Sequence, residues 1–377
     1  MSTTLHPSLE RYFKEKDAPS TANPPLFFKQ LNAHLRKKLR LGKEIDTACV
    51  KTTKRVYPKY FLIKRDNCEQ AISASAWCNL KHDEKARTTF FLLEKLSKEI
   101  SPNTYTPLLG FVPSIKQAEL SCNAMFTQFQ NGEKNHIYIN PEFFDHAHGI
   151  NIANTLAHEL QHNHDFAEYR ERIIPELIRK YVSPAAYNQT WSLMNLPIRG
   201  EIHNNETHKL EEITPELSEQ ILAAKYFYGG FTGKTKHNNI SQIYSHEDAL
   251  AYIHYYAYRT CPLERRAFAR GYSCAKSIVD QNEAHDIVSE LDKSALRGIK
   301  KSLDNTDRQI SLLEILTGVK PEDIYEMFCK LSYLESNRLK FDFADHEIRM
   351  IQSDLRDLAE HAYAKMQHLR SKDDFQP

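Results

Sequence analysis

The sequence predicts an α+β fold with a small sheet, one helix carrying a cluster of chemistry, and a largely helical remainder. Three observations predict it. Short β-rich or alternating runs gather between residues 108 and 140. A run with apolar residues at helical spacing follows directly. Most of the chain after it repeats with a helical period and high charge.

The elements follow in order. Residues 1–24 hold Pro7, Pro19 and Pro24 among Ser, Thr and Ala, and read as a flexible lead. From Pro25 to Leu41 a basic helix is expected. The leucines of His34-Leu-Arg-Lys-Lys-Leu-Arg-Leu-Gly-Lys43 fall at helical spacing, so the cations form a solvated face rather than a nucleic-acid patch. Residues 47–64 are β-rich enough for a hairpin, which Pro58 restricts to an edge or bulge. Residues 83–99 form a helix with Phe90, Phe91, Leu92, Leu96 and Ile100 on or near one stripe. Leu108–Val112 and Leu120–Phe129 read as strands, and the turn-rich 131–135 leads into a third, His136-Ile-Tyr-Ile-Asn140.

A helix comes next. Ile152, Ala153, Leu156, Ala157 and Leu160 are spaced helically with no Pro or Gly among them, and Gly149 ends the preceding loop. Inside this helix stands His158-Glu159-Leu160-Gln161-His162. Histidines four apart lie one turn above each other on a single face, so both imidazoles can meet one metal ion. Zinc held by two His and a third protein ligand keeps a position for water, and lowers that water's pKa. Glu159 stands beside the metal, placed to take the proton as the water attacks a carbonyl. Such a site hydrolyses amide bonds.

Strand 137–140, a short loop and Thr155-Leu-Ala-His-Glu-Leu-Gln-His162 together resemble the zincin metallopeptidases. The resemblance covers residues 136–164 firmly and the rest thinly. It implies a zincin-like catalytic domain, Zn2+ on His158 and His162, and Glu159 as catalytic base. It also implies that strand 136–140 is a sheet edge along which a peptide substrate is laid, backbone to backbone. The metzincin continuation is absent, because Asp165 stands where a glycine turn would be needed and Glu168 where a third His or Asp would stand. The third ligand is sought downstream. Pro262-Leu-Glu264-Arg-Arg-Ala267 resembles the Pro-x-Glu-x-x-Ala block of gluzincin-like proteins, whose Glu completes the metal site. Pro262 suits a first helical turn, where its missing N–H costs nothing. An acidic residue at a helix N-terminus is also favoured by the macrodipole alone. Glu247 and Glu168 stay open as alternatives to Glu264. Among Tyr256, Tyr258, His254 and His246, Tyr258 is the candidate donor to a developing oxyanion.

The remainder is organised around this site. Residues 25–282 are expected to form the metallopeptidase domain, with a helical insert over about 170–245 broken near Pro184, Pro197 and Gly200. Residues 283–377 read as a C-terminal helical bundle, with His346 and His361 solvated and a protein partner as one use for it. Gly229-Gly-Phe-Thr-Gly-Lys-Thr235 lacks the first glycine of a phosphate loop, Tyr228 standing in its place, and reads as a flexible loop.

Composition bounds the function. There are 50 Lys+Arg against 49 Asp+Glu, so bulk charge favours neither nucleic acid nor an anionic membrane. No apolar run reaches the roughly 20 residues of a spanning helix. The first residues show neither the basic nor the apolar region of a signal peptide. Seven scattered cysteines (49, 68, 78, 122, 261, 274 and 329) with no CxxC pair fit a reducing compartment. The expectation is a cytoplasmic zinc endopeptidase acting on a protein or peptide. Its neutral charge and extra helices also fit a bacterial effector delivered into a host cytosol. The alternative is a zincin-derived binding protein that acts through its C-terminal helices.

Overall fold

The structure, a computed structural model, describes residues 72–102, 104–111, 124–127, 135–230 and 240–371. The expected lead at 1–24, the basic helix at 25–41 and the hairpin at 47–64 lie outside the described residues, as does most of the glycine-rich loop after Gly230. The fold is α+β and mostly helical. It divides into two compact units: residues up to Asn163 with Ala269–Lys300, and His164–Phe268 with the chain from Lys301 onward.

In the first unit α1 (Ala74–Asn79) and α2 (His82–Ile100) precede β1 (Leu108–Phe111), β2 (Ala124–Thr127) and β3 (His136–Ile139). Next come α3 (Pro141–His146) and α4 (Gly149–Glu168), the helix with the histidine motif. β3 lies at the sheet's centre, parallel to β1 and antiparallel to β2. Its alternation divides its side chains between the two faces. Ile137 and Ile139, fully buried, join the core formed with Ile152, Ala153, Leu156 and Leu160 of α4. His136 and Tyr138 stack on the other face with centroids 5.5 Å apart. This corrects one expectation. Strand 136–140 is no sheet edge, because both its backbone sides are already paired. The outer strands of the described sheet are β1 and β2.

The start of α4 is closely packed. A Cβ on Gly149 would come within 2.5 Å of the Ile72 carbonyl oxygen, so only glycine fits there. Trp77 Nε1 donates to the Ala147 carbonyl at 3.1 Å and meets Phe144 edge-on. These contacts fix the loop from which α4 springs.

In the second unit α4 passes through a π-helical turn, Tyr169–Ile173, into α5 (Ile174–Tyr181). Pro175 explains the turn: it offers no N–H to the carbonyl of Glu171 and would crowd it, and widening to an i→i+5 pattern relieves both. Beyond are α6 (Gln189–Met194), hairpin strands β4 (Glu201–Asn204) and β5 (Lys209–Glu212), and α7 (Pro215–Gly229). Then come α8 (His246–Arg259), α9 (Pro262–Ala284), which belongs to the first unit from Ala269, α10 (Glu290–Thr317), which belongs there up to Lys300, α11 (Pro321–Ser336) and α12 (Ala344–Ser371). The hairpin is absent from the sequence expectation of a helical insert over about 170–245. Residues 170–245 and the helices after Lys301 share this unit and one core, in which α7 and α8 pack on α11 and α8 packs on α12. Among the described residues no helix is long and apolar enough to cross a membrane.

Candidate metal centre

α4 buries one face completely, with Ile150, Ala153, Leu156, Ala157 and Leu160 all at zero exposure. That anchoring leaves His158 and His162 one turn apart. Their Nε2 atoms are 3.1 Å from each other, with ring planes at 84°. Two imidazole nitrogens at about 2.0–2.1 Å from one tetrahedral zinc would be roughly 3.3 Å apart. The observed spacing is therefore close to that of two ligands converging on a single ion. Ligand atoms of His158, Glu159 and His162 all lie within 4.8 Å of one another. Glu159 and His162 are buried and His158 half-buried. Two imidazoles and a carboxylate at this spacing could hold a metal ion.

Polar contacts hold the helix on both sides of this triplet. Gln161 Oε1 accepts from Arg270 Nε of α9 at 3.1 Å. Asn163, almost wholly buried, donates to Thr104 Oγ1 at 3.0 Å and accepts from Asn135 Nδ2 at 2.7 Å. It ties the C-terminal end of the motif to the segments leading into β1 and β3. At the other end His148 Nδ1 accepts from the Ile150 N–H at 3.2 Å, satisfying a donor that the helix start leaves open. This assigns the proton to His148 Nε2, which lies 3.5 Å from Asp292 Oδ1. Burial lowers the His148 pKa below its ordinary value, against the opposing pull of Asp292. Asp292 is fully buried and accepts from Ala74 N, Ser289 N and Ser289 Oγ at 2.7–2.9 Å.

The downstream candidates belong to the second unit. Glu264 lies in the first turn of α9, buried, as the Pro262 reading predicts. Tyr258 donates a hydrogen bond to the Glu264 carboxylate and also contacts Tyr226. Burial first, then the Glu264 charge, pushes the Tyr258 phenol well above its usual value. Cys261, fully buried, is pushed up to about 12 by burial and by Glu264, which marks it as an inert packing thiol. Glu247 is exposed in the first turn of α8, beside the capping Ser245. Glu168 pairs with Arg172. His164, Asp165 and Glu168 form a second close group, but Arg266 and Arg172 already counter its charge.

The structure thus brings His158, Glu159 and His162 together in one unit, and Glu264 with Tyr258 in the other. Sequence reasoning missed Asn163, Thr104, Asn135, Arg270 and His148, which position the triplet. Of these only His148 carried a signal, as a polar residue directly before a helix start. No family model, no curated protein and no solved structure matches the chain.

Proposed function

We propose that this chain is a zinc-dependent metallopeptidase with a zincin-like catalytic domain, hydrolysing peptide bonds of a protein substrate in the cytoplasm or in a host cytosol. The 3.1 Å convergence of the His158 and His162 Nε2 atoms, with Glu159 beside them, carries this reading. His158 and His162 hold the zinc, and Glu264 is assigned as third ligand by its Pro-x-Glu-x-x-Ala motif. When bound, zinc supplies a Lewis acid that brings the pKa of its water to about 7.

Glu159 accepts the proton of the attacking water and hands it to the leaving amine nitrogen. Its burial keeps bulk water from competing for that proton. Tyr258, held protonated by its surroundings, has an O–H to offer an oxyanion once Glu264 releases it. A non-catalytic, zincin-derived binding protein acting through the C-terminal helices is the other reading. It gives Glu159 no task, since a structural metal site needs no base beside it.

Elemental analysis of purified protein, followed by peptide-mixture digestion, tests the proposal. About one zinc per wild-type chain is expected, weakened or lost in His162→Ala and Glu264→Ala. Glu159→Gln should keep its zinc and lose hydrolysis. Folded wild type without zinc, or Glu159→Gln with full activity, would overturn it.

A further inference from the structure

Among the described residues of the second unit, Lys225 and Arg259 are the buried lysine and arginine, and only Lys225 meets a carboxylate. Lys225, at zero exposure, meets Glu326 and donates to the Leu196 carbonyl at 2.6 Å. Arg266, half-buried, faces Asp165 at 3.4 Å and Glu219 at 3.8 Å. Arg259, the last residue of α8, is 7% exposed and has no such partner among the described residues. Its Cζ lies 3.3 Å from the centre of the Phe268 ring, a stacking contact that orients the guanidinium. Its Nε is shut off from water and makes no hydrogen bond.

An arginine does not escape this situation as a lysine does. Its guanidinium stays protonated under any condition in which proteins work, and offers five donors in a rigid fork matched to a carboxylate. A buried charge of that kind is costly until an anion pairs with it. The position also has a context. Arg259 ends α8, and Glu264, the proposed third zinc ligand, stands in the first turn of α9, which follows it directly in the chain.

We infer that Arg259 anchors a carboxylate brought by the substrate, an acidic side chain or the terminal carboxylate of a peptide, and sets specificity beside Glu264. The assignment to substrate rests on the peptidase reading, whereas the carboxylate anchor does not. Phe268 holds the guanidinium in place in advance, so the incoming carboxylate finds an oriented partner rather than a mobile chain.

The test is the melting temperature of the full chain with three synthetic peptides: acetyl-Ala-Glu-Ala-amide, acetyl-Ala-Gln-Ala-amide, and acetyl-Ala-Ala-Ala with a free C-terminus. At ten times its Kd, a bound peptide should raise the melting temperature by about 3 °C. The Glu peptide or the free-acid peptide should do so, and which of them does identifies the source of the carboxylate. The neutral Gln peptide should not. Arg259→Met keeps a stem over Phe268 without the charge. It should melt no lower than wild type and lose the peptide response. Arg259→Lys, which keeps a charge without the fork, should respond at least tenfold more weakly.

A peptide response unchanged in either variant overturns the proposal. So does no response in wild type, or an Arg259→Met protein destabilised by several degrees. Because binding is read without turnover, Glu159→Gln must respond like wild type. A chain that hydrolyses nothing yet loses the response in Arg259→Met would sink the peptidase and keep the anchor.

Discussion

Gly271 of α9 is where packing around α4 can be tested most sharply. A Cβ built there would lie 2.7 Å from the Asn154 carbonyl oxygen and 2.8 Å from Asn154 Oδ1. Real Cβ atoms essentially never come within 3.0 Å of another heavy atom. The amide of Asn154 can rotate away, but its carbonyl is part of α4, so the helices must part by several tenths of an ångström. In an open helix interior Gly→Ala gains about 1 kcal/mol. Overpacking of this kind costs about 1–3 kcal/mol, so Gly271→Ala should lose about 1 kcal/mol net. Gly298, exposed inside α10, has open space for 4 Å around the point where a Cβ would stand. It supplies the contrast and should gain up to about 1 kcal/mol as alanine. The two variants should differ by about 2 kcal/mol, or roughly 4–8 °C in melting temperature. Thermal denaturation followed by circular dichroism measures this. Asn154 stands one turn before His158, so the displacement carries both histidines with it and preserves their mutual spacing. A zinc titration against a chelator should therefore show weaker binding in Gly271→Ala only if the third ligand is not on α4. Equal stabilisation by the two alanines would refute the close approach and the reasoning built on it.

Three further outcomes are expected. His148 is neutral in the fold and its pKa is depressed, so the unfolded chain binds its proton first; this part of the stability is present above about pH 6.5 and is lost as pH falls toward the lowered folded value. The slope reaches at most about 1.4 kcal/mol per pH unit, and His148→Asn, which still caps the helix, should remove it in urea titrations at pH 5 and 7. Glu326→Ala leaves the Lys225 ammonium with only the Leu196 carbonyl and should cost about 2–3 kcal/mol, the partial exposure of Glu326 reducing the full penalty. Adding Lys225→Met should recover most of that loss in the same assay, and a double variant as unstable as the single one would count against the pairing. Asn163→Ala strands the side-chain groups of Thr104 and Asn135 and should cost about 1–3 kcal/mol, with faster amide exchange at the start of β3 as its local mark.

What was legible in the sequence is what depends on neighbours along the chain. Residues four apart on a helix share a face whatever surrounds them, so His158, Glu159 and His162 were readable together, and Pro262 announced the start of α9 for an equally local reason. The position of β3 was not local. Its alternating side chains fit an edge strand or a central one alike, and only pairing with β1 on one side and β2 on the other decides between them. The hairpin at 201–212 was hidden because Ile202 and Asn204 are its only buried positions on β4, too short an alternation to stand out from the helices around it. Arg259 is the strongest case. At the C-terminal end of α8 a cation is favoured by the helix dipole, so its presence there asks for no explanation from sequence. The explanation becomes necessary only when the fold buries it on Phe268 while giving Lys225 and Arg266 the carboxylates. A charge is ordinary or anomalous according to what tertiary structure places opposite it, and residues whose partner comes from outside the chain are those that sequence periodicity has no means of marking.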